Sequence, residues 1–170
     1  AMTDEYAIVS ALFENAAYIF ENVDGVWMQI NRVFGPDHLD PQWFGINVAI
    51  SSNFAIVGSY YDKTDENGEN PLTFAGAAYI FENRNGNWEF DQKIVASDRT
   101  DNQFFGAVLD ISDQYAVVTT VYERRDENSE NPVMGAGAGY IYENEDHTWE
   151  CVQKIVASNR TEAPGFGYSV

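Results

Sequence analysis

A period of 61 residues constrains this chain more than any other feature. Phe-Gly falls at Phe44-Gly45, Phe105-Gly106 and Phe166-Gly167; Trp27, Trp88 and Trp149 keep the same spacing, as do Tyr18, Tyr79 and Tyr140. Residues 44–104 align with 105–165 without a gap and share 30 identities in 61 positions. Such a period marks a tandem array of one supersecondary unit, in which each copy buries its apolar face against its neighbours.

Each unit reads as four short strands. In the middle copy these are FGINVAIS (44–51), FAIVGS (54–59), GAAYIFE (76–82) and WEFDQKIVAS (88–97). Phe44, Ile46, Val48 and Ile50 alternate with period two, the signature of a half-buried strand. The second segment is apolar at both parities, as in a strand covered on both sides. Small residues in the third allow neighbouring backbones to approach. Asn83-Arg84-Asn85-Gly86-Asn87 supplies a hairpin turn centred on Asn-Gly. Composition agrees: 15 Val, 11 Ile, 11 Phe and 10 Tyr stand against four Leu, which favours pleated sheet over helix.

The predicted fold class is therefore all-β. Four antiparallel strands per repeat, with Gly and aromatic marks in fixed phase, describe a β-propeller blade. The blades divide at about 4–43, 44–104 and 105–165, with 166–170 expected as a closing strand in a single propeller segment spanning 1–170. Asp4 to Val9 matches a second strand, so the first unit lacks an opening one, and its loop before Tyr18 is thirteen residues shorter than in the other copies. That loop is either a tight natural hairpin or a shortened segment. Three blades do not close a ring, since about four or more are needed. Either two chains join head to tail as a homodimer, exchanging the terminal strand, or the segment belongs to a longer propeller.

The pattern FGINVAIS-x-x-FAIVGS…GAAYIFEN-x-x-G-x-W-x-x-x-QKIVASD resembles the FG-GAP repeats of integrin-type β-propellers, particularly bacterial ones. The resemblance covers nearly the whole chain. It implies rings of about seven blades and a family that includes adhesion receptors, surface proteins and domains attached to enzymes. An extracellular or cell-surface location follows as an expectation.

With 27 Asp plus Glu, nine Lys plus Arg and a net charge of −18, the chain is unsuited to nucleic acid, whose phosphates need basic residues to displace counterions. Anionic membrane surfaces are disfavoured for the same reason, and no run of about 18 apolar residues is present to insert into a bilayer.

The long loops carry the motif D-E-N-x-E-N-P twice. Asp62, Asp65, Asn67 and Glu69, with Glu123, Asp126, Asn128 and Glu130 in the next copy, offer the hard oxygens that Ca2+ prefers. Family calcium loops alternate Asp as D-x-D-x-D-G; these loops depart from that spacing and carry Lys63, Arg124 and Arg125. A solvated acidic loop is the competing and favoured reading. Asp98-Arg99-Thr100-Asp101, repeated as Asn159-Arg160-Thr161-Glu162 and more loosely at Asp37-His38-Leu39-Asp40, reads as turn capping. Trp27, Trp88 and Trp149, together with Cys151, read as packing residues.

No catalytic set stands out. His38 and His147 are out of phase with each other, and neither G-x-S-x-G nor H-E-x-x-H occurs. The sequence therefore points to a non-enzymatic binding or adhesion scaffold presenting its loops to a protein or glycan partner. An architectural fragment of a larger protein, or a hydrolase or lyase with an axial site, are the alternatives.

Overall fold

A computed structural model describes residues 1–36, 43–162 and 165–170. Among the described residues, eleven strands form three antiparallel meanders. Blade one holds β1 (Tyr6–Ala11), β2 (Ala16–Val23) and β3 (Val26–Val33). Blade two holds β4 (Val48–Ile50), β5 (Phe54–Ser59), β6 (Ala77–Arg84) and β7 (Asn87–Ile94). Blade three holds β8 (Val108–Ile111), β9 (Tyr115–Thr120), β10 (Ala138–Glu145) and β11 (Thr148–Ile155).

The blades repeat in detail. A bulge interrupts the last hairpin of each blade at Ile19/Phe20, Ile80/Phe81 and Ile141/Tyr142, positions 61 residues apart. The hairpin tips are turns with two successive left-handed residues, at Asp24-Gly25, Asn85-Gly86 and Asp146-His147. That geometry suits the twist of the flanking strands. A 3-10 turn, Leu12–Glu14, followed by left-handed Asn15, joins β1 directly to β2; it takes the place of the long loops of the other two blades.

Each sheet interface has its own core, and period two sorts the side chains between them. Ala55 and Val57 of β5 join Ile8, Ile19 and Val33 of blade one. Phe54 and Ile56, on the other face of the same strand, join Leu109, Val118 and Trp149 of blade three. All six residues of β5 are buried, as its two-sided apolar sequence predicts.

Two expectations are corrected. The opening strand is shorter than 44–51: β4 starts at Val48, and Gly45, at φ 95°, sits against the Ala16 carbonyl of blade one while its amide still donates to the Gly58 carbonyl at 2.9 Å. The last five residues form no strand. Phe166 and Gly167 turn onto blade three, where Thr119 Oγ1 donates to the Gly167 carbonyl at 2.7 Å. They occupy on blade three the place that Phe105-Gly106 occupies on blade two. There, Phe105 bridges Gly76 in parallel, and a Cβ on Gly76 or Gly137 would strike the backbone of Phe105 or Phe166 respectively. Both glycines also have positive φ, 84° and 79°, so only glycine fits this crossing.

Candidate functional site

Each blade places an acid, a tyrosine and a base together. In blade three Glu123, Tyr140 and Lys154 meet Asp98 and Gln103, which arrive on the connection from blade two. Asp98 Oδ2 accepts from Lys154 Nζ at 2.8 Å and Ser129 Oγ at 2.8 Å, and Oδ1 accepts from the Tyr140 hydroxyl at 2.7 Å. Glu123 accepts from Gln103 Nε2 at 2.6 Å, the Arg125 amide at 2.7 Å and Arg125 Nε at 3.1 Å. Lys154 Nζ lies 3.4 Å from Glu123. In blade two, Asp62 pairs with Lys93 at 2.9 Å, accepts from the Tyr79 hydroxyl, and accepts from the Thr64 amide at 2.9 Å. In blade one, the Tyr18 hydroxyl donates to Glu14 at 2.6 Å, and Arg32 stands 3.8 Å from the same carboxylate.

Burial draws the Asp98 carboxyl upward, but the hydrogen bonds from Lys154, Tyr140 and Ser129 outweigh it and hold the group below the ordinary carboxylate range. Glu123 is likewise raised by burial and lowered on balance by Arg125 and Lys154. Burial, then the charges of Glu123 and Asp98, push Tyr140 far above the ordinary phenol range. Both carboxylates are thus ionised at neutral pH and Tyr140 is neutral. A general acid would need the opposite shift on a carboxyl, so this cluster is built as an ion-pair joint between blades.

The predicted metal residues divide into two sets. Asp62, Asp65, Glu123 and Asp126 are buried, Asp62 and Glu123 within the acid–tyrosine–base clusters and Asp65 and Asp126 bonded by their own loops. Asp65 Oδ1 takes the amides of Asn67 at 3.0 Å and Glu69 at 2.8 Å, and Oδ2 takes Asn70 Nδ2 at 2.6 Å. Asp126 repeats this with Asn128, Glu130 and Asn131 at 3.0, 2.9 and 2.6 Å. The Asn70 and Asn131 amides, followed by the backbone donors, lower Asp65 and Asp126. Asn67, Glu69, Asn128 and Glu130 are exposed. Among the described residues no three His, Cys, Asp or Glu side chains gather where they could hold one ion.

The Asp98–Asp101 segment is more than a turn cap. Asp98 enters the ion-pair joint, Arg99 donates to the carbonyls of Lys63 at 2.8 Å and Asn70 at 3.3 Å, and Asp101 accepts the Thr73 amide at 2.6 Å. Arg160 donates to the carbonyls of Arg124 and Asn131 in the same way. These arginines staple the acidic loops from below. Asp37 to Asp40 lies outside the described residues. Trp88 and Trp149 are buried packing residues, whereas Trp27 is 38% exposed. Cys151 is half-buried against the second core.

A second feature lies on the loops. Trp43, Tyr60, Tyr61, Phe74, Phe104 and Tyr122 form a continuous aromatic patch across blades two and three. Its ring centroids are 4.5 Å apart for Tyr60–Tyr61, 4.7 Å for Tyr61–Phe74, 5.1 Å for Trp43–Tyr61 and 5.1 Å for Phe104–Tyr122. Trp43, Phe74 and Phe104 hold φ of 57°, 50° and 58°, a left-handed backbone that bulky side chains rarely adopt. The residues 61 positions after Phe74 and Phe104 are Gly135 and Gly165, which relieve the same conformation without strain. A cavity of about 570 Å3 opens beside Tyr122, lined by Asp101, Gln103, Arg125 and Glu130 among others.

Comparison with protein families decides the class. The FG-GAP repeat model matches residues 27–81 and 88–142, together more than half of the chain. The chain belongs to the FG-GAP repeat family. No curated protein matches it. Each FG-GAP match runs from the Trp that opens the last strand of one blade to the third strand of the next, so the sequence repeat is offset from the sheet. One FG-GAP unit therefore joins two blades, with its Phe-Gly at the junction.

Sequence reasoning missed the acid–tyrosine–base clusters and the aromatic patch. The clusters were readable, because Tyr18/79/140, Arg32/Lys93/Lys154 and Asp62/Glu123 all recur at 61 residues. The patch was not, because Tyr61/Tyr122 and Trp43/Phe104 recur at 61 residues but lie on loops that only the fold brings together with Tyr60 and Phe74.

Proposed function

We propose that this FG-GAP segment is a non-enzymatic binding scaffold that works outside the cell or on its surface. It takes a protein or glycan partner on the loop face of blades two and three. The observation that carries the reading is the aromatic patch. Six partly exposed rings sit together, and three of them are kept at left-handed positions, two of which, Phe74 and Phe104, are glycine in the next copy. Strain retained at a surface position is a mark of a functional role. Rings of this kind stack on sugar faces and anchor protein interfaces. The ionised, mutually satisfied carboxylates supply no general acid, which is why binding is preferred to hydrolysis. Among the described residues no helix is long and apolar enough to cross a membrane.

A glycan array and a pull-down, each followed by titration of Trp fluorescence, test the reading. A ligand lost on Trp43→Ala or Tyr61→Ala supports it. A ligand whose affinity ignores both changes, or turnover of a bound glycan, counts against it.

A further inference from the structure

The cavity beside Tyr122 has a fixed frame and uncommitted side chains. One side is the connection that leaves blade two, from Thr100 to Gln103, and the other is the long loop of blade three. The sides are tied together by two buried residues, where Gln103 Nε2 donates to the Glu123 carboxylate at 2.6 Å. Around them the backbone is pinned. The Asn102 amide donates to the Thr73 carbonyl and the Val133 amide to the Arg124 carbonyl, both at 2.7 Å, and the Glu130 amide donates to Asp126 at 2.9 Å.

The side chains carried on this frame are left over from folding. Asn102, Arg124 and Glu130 are exposed, and among the described residues none of these side chains makes a hydrogen bond or an ion pair. Asp101 engages the Thr73 amide with one oxygen, at 2.6 Å, and keeps the other. In a chain with 27 Asp plus Glu against nine Lys plus Arg, a guanidinium without a carboxylate partner is not explained by the fold.

Tyr122 is bared by a difference between copies. Its counterpart Tyr61 is half-buried, packed by Phe74 at 4.7 Å and Trp43 at 5.1 Å. The counterpart of Phe74 is Gly135, so Tyr122 keeps Phe104 at 5.1 Å but loses the other cover and is 54% exposed.

These groups select a ligand class. The volume of about 570 Å3 lies within the range of roughly 300–1,000 Å3 usual for small-molecule sites. An apolar ligand needs a mainly apolar lining, whereas every lining residue except Tyr122 and Pro132 is polar. Asp, Asn, Glu and Arg each end in a planar set of polar atoms that can engage two adjacent hydroxyls at once. An exposed ring beside them takes the apolar face of the same sugar. An acidic ligand would meet Asp101 and Glu130 at close range and a net charge of −18 beyond them.

We infer, on the basis of the loop-face reading, that this cavity holds a neutral saccharide, stacked on Tyr122 and hydrogen-bonded by Asp101, Asn102, Arg124 and Glu130. Calorimetric titration with cellobiose, mannobiose, lactose and chitobiose tests this, with digalacturonate and sialyllactose as acidic comparisons. At least one neutral disaccharide should bind, with an affinity that changes by less than about twofold between roughly 0.05 and 0.5 M salt. Tyr122→Ala, Arg124→Ala and Glu130→Ala should each weaken it about tenfold, as expected for loss of a stacked ring or a charge-assisted hydrogen bond. Lys63→Ala, at the position that matches Arg124 but lies outside the cavity, should leave it unchanged. These positions are exposed, and circular dichroism checks that each variant folds. A neutral sugar lost on Tyr61→Ala that ignores Tyr122→Ala and Arg124→Ala overturns the inference but not the loop-face reading. So does an acidic sugar or a protein lost on Tyr61→Ala when no neutral sugar binds. If nothing binds the loop face, both fall.

Discussion

Trp27 and Trp149 hold the same place in their blades, as do Glu14 and Glu123, yet one of each pair faces solvent and the other is buried. The Trp149 side belongs to a residue 2% exposed. The Glu123 side chain is 1% exposed, against 58% for Glu14. Glu14 also lacks the long loop whose Arg125 bonds Glu123, but for the tryptophans local sequence does not account for the difference, since the strands around both pair in the same register with the same bulge. The neighbour does. A blade of this kind cannot cover its own faces, so identical residues are core or surface according to which sheet stands next to them.

The largest expected effect sets Phe54 against Tyr115, equivalent residues on a covered and an open face. Phe54→Ala removes a ring 4% exposed from the contact with Trp149 and should cost about 3–5 kcal/mol. Tyr115→Ala should cost less than about 1 kcal/mol. Urea unfolding of each variant reads both. Equal losses would break the idea that the neighbour decides.

Next come the ion pairs. Glu123→Ala strands Arg125 and Lys154 in a buried joint and should cost about 3 kcal/mol, whereas Glu14→Ala, at a solvated pair, should cost less than about 1 kcal/mol. Acid sharpens this contrast. Asp98 and Glu123 titrate lower folded than unfolded, so their stabilisation is complete above the unfolded values near about 4 and is lost as pH falls through the folded ones. Stability should hold steady near neutrality and fall on acidification below about pH 4. Lys154→Met removes the cation both carboxylates share, lifts their folded values, and should move the acid-unfolding midpoint to higher pH. Arg32→Met should leave that midpoint in place. An acid titration followed by Trp fluorescence compares the two.

How much was legible follows from the same logic. Strands β5 and β9 fall at the residues that alternation and the 61-residue period mark, because each strand's pattern is written in its own residues. The Asn85-Gly86 turn is equally local. The role of Asp98 was not, since nothing near it in sequence announces Lys154, 56 positions away. Its partners become visible only once the connection from blade two is laid across blade three. The bonding within the acidic loops was hidden for a related reason: spacing shows closely set oxygens, but not that the loops' own backbone amides engage Asp65 and Asp126. Period analysis also favours residues that repeat, and so passes over Tyr60 and Phe74, where the next copy has Val121 and Gly135.

Phe74 offers the smallest expected effect and the finest test of that difference. Its counterpart Gly135 has φ 63°, against 50° for Phe74, so Phe74→Gly substitutes a residue that the same backbone position accepts in blade three. Relief of the left-handed conformation is worth roughly 1–2 kcal/mol. Against it stand the extra backbone entropy of glycine, about 0.5–1 kcal/mol, and the ring contacts to Tyr61 and Phe104 at 4.7 and 5.9 Å, about 0.5–1.5 kcal/mol each. The contributions oppose one another, and stability should change by no more than about 1 kcal/mol. If Phe74 serves a ligand, binding to the loop face should fall while the unfolding midpoint stays. If the ring serves packing alone, the midpoint should fall and binding should follow only as folded protein is lost. The same variant thus separates a surface held for recognition from one held for stability.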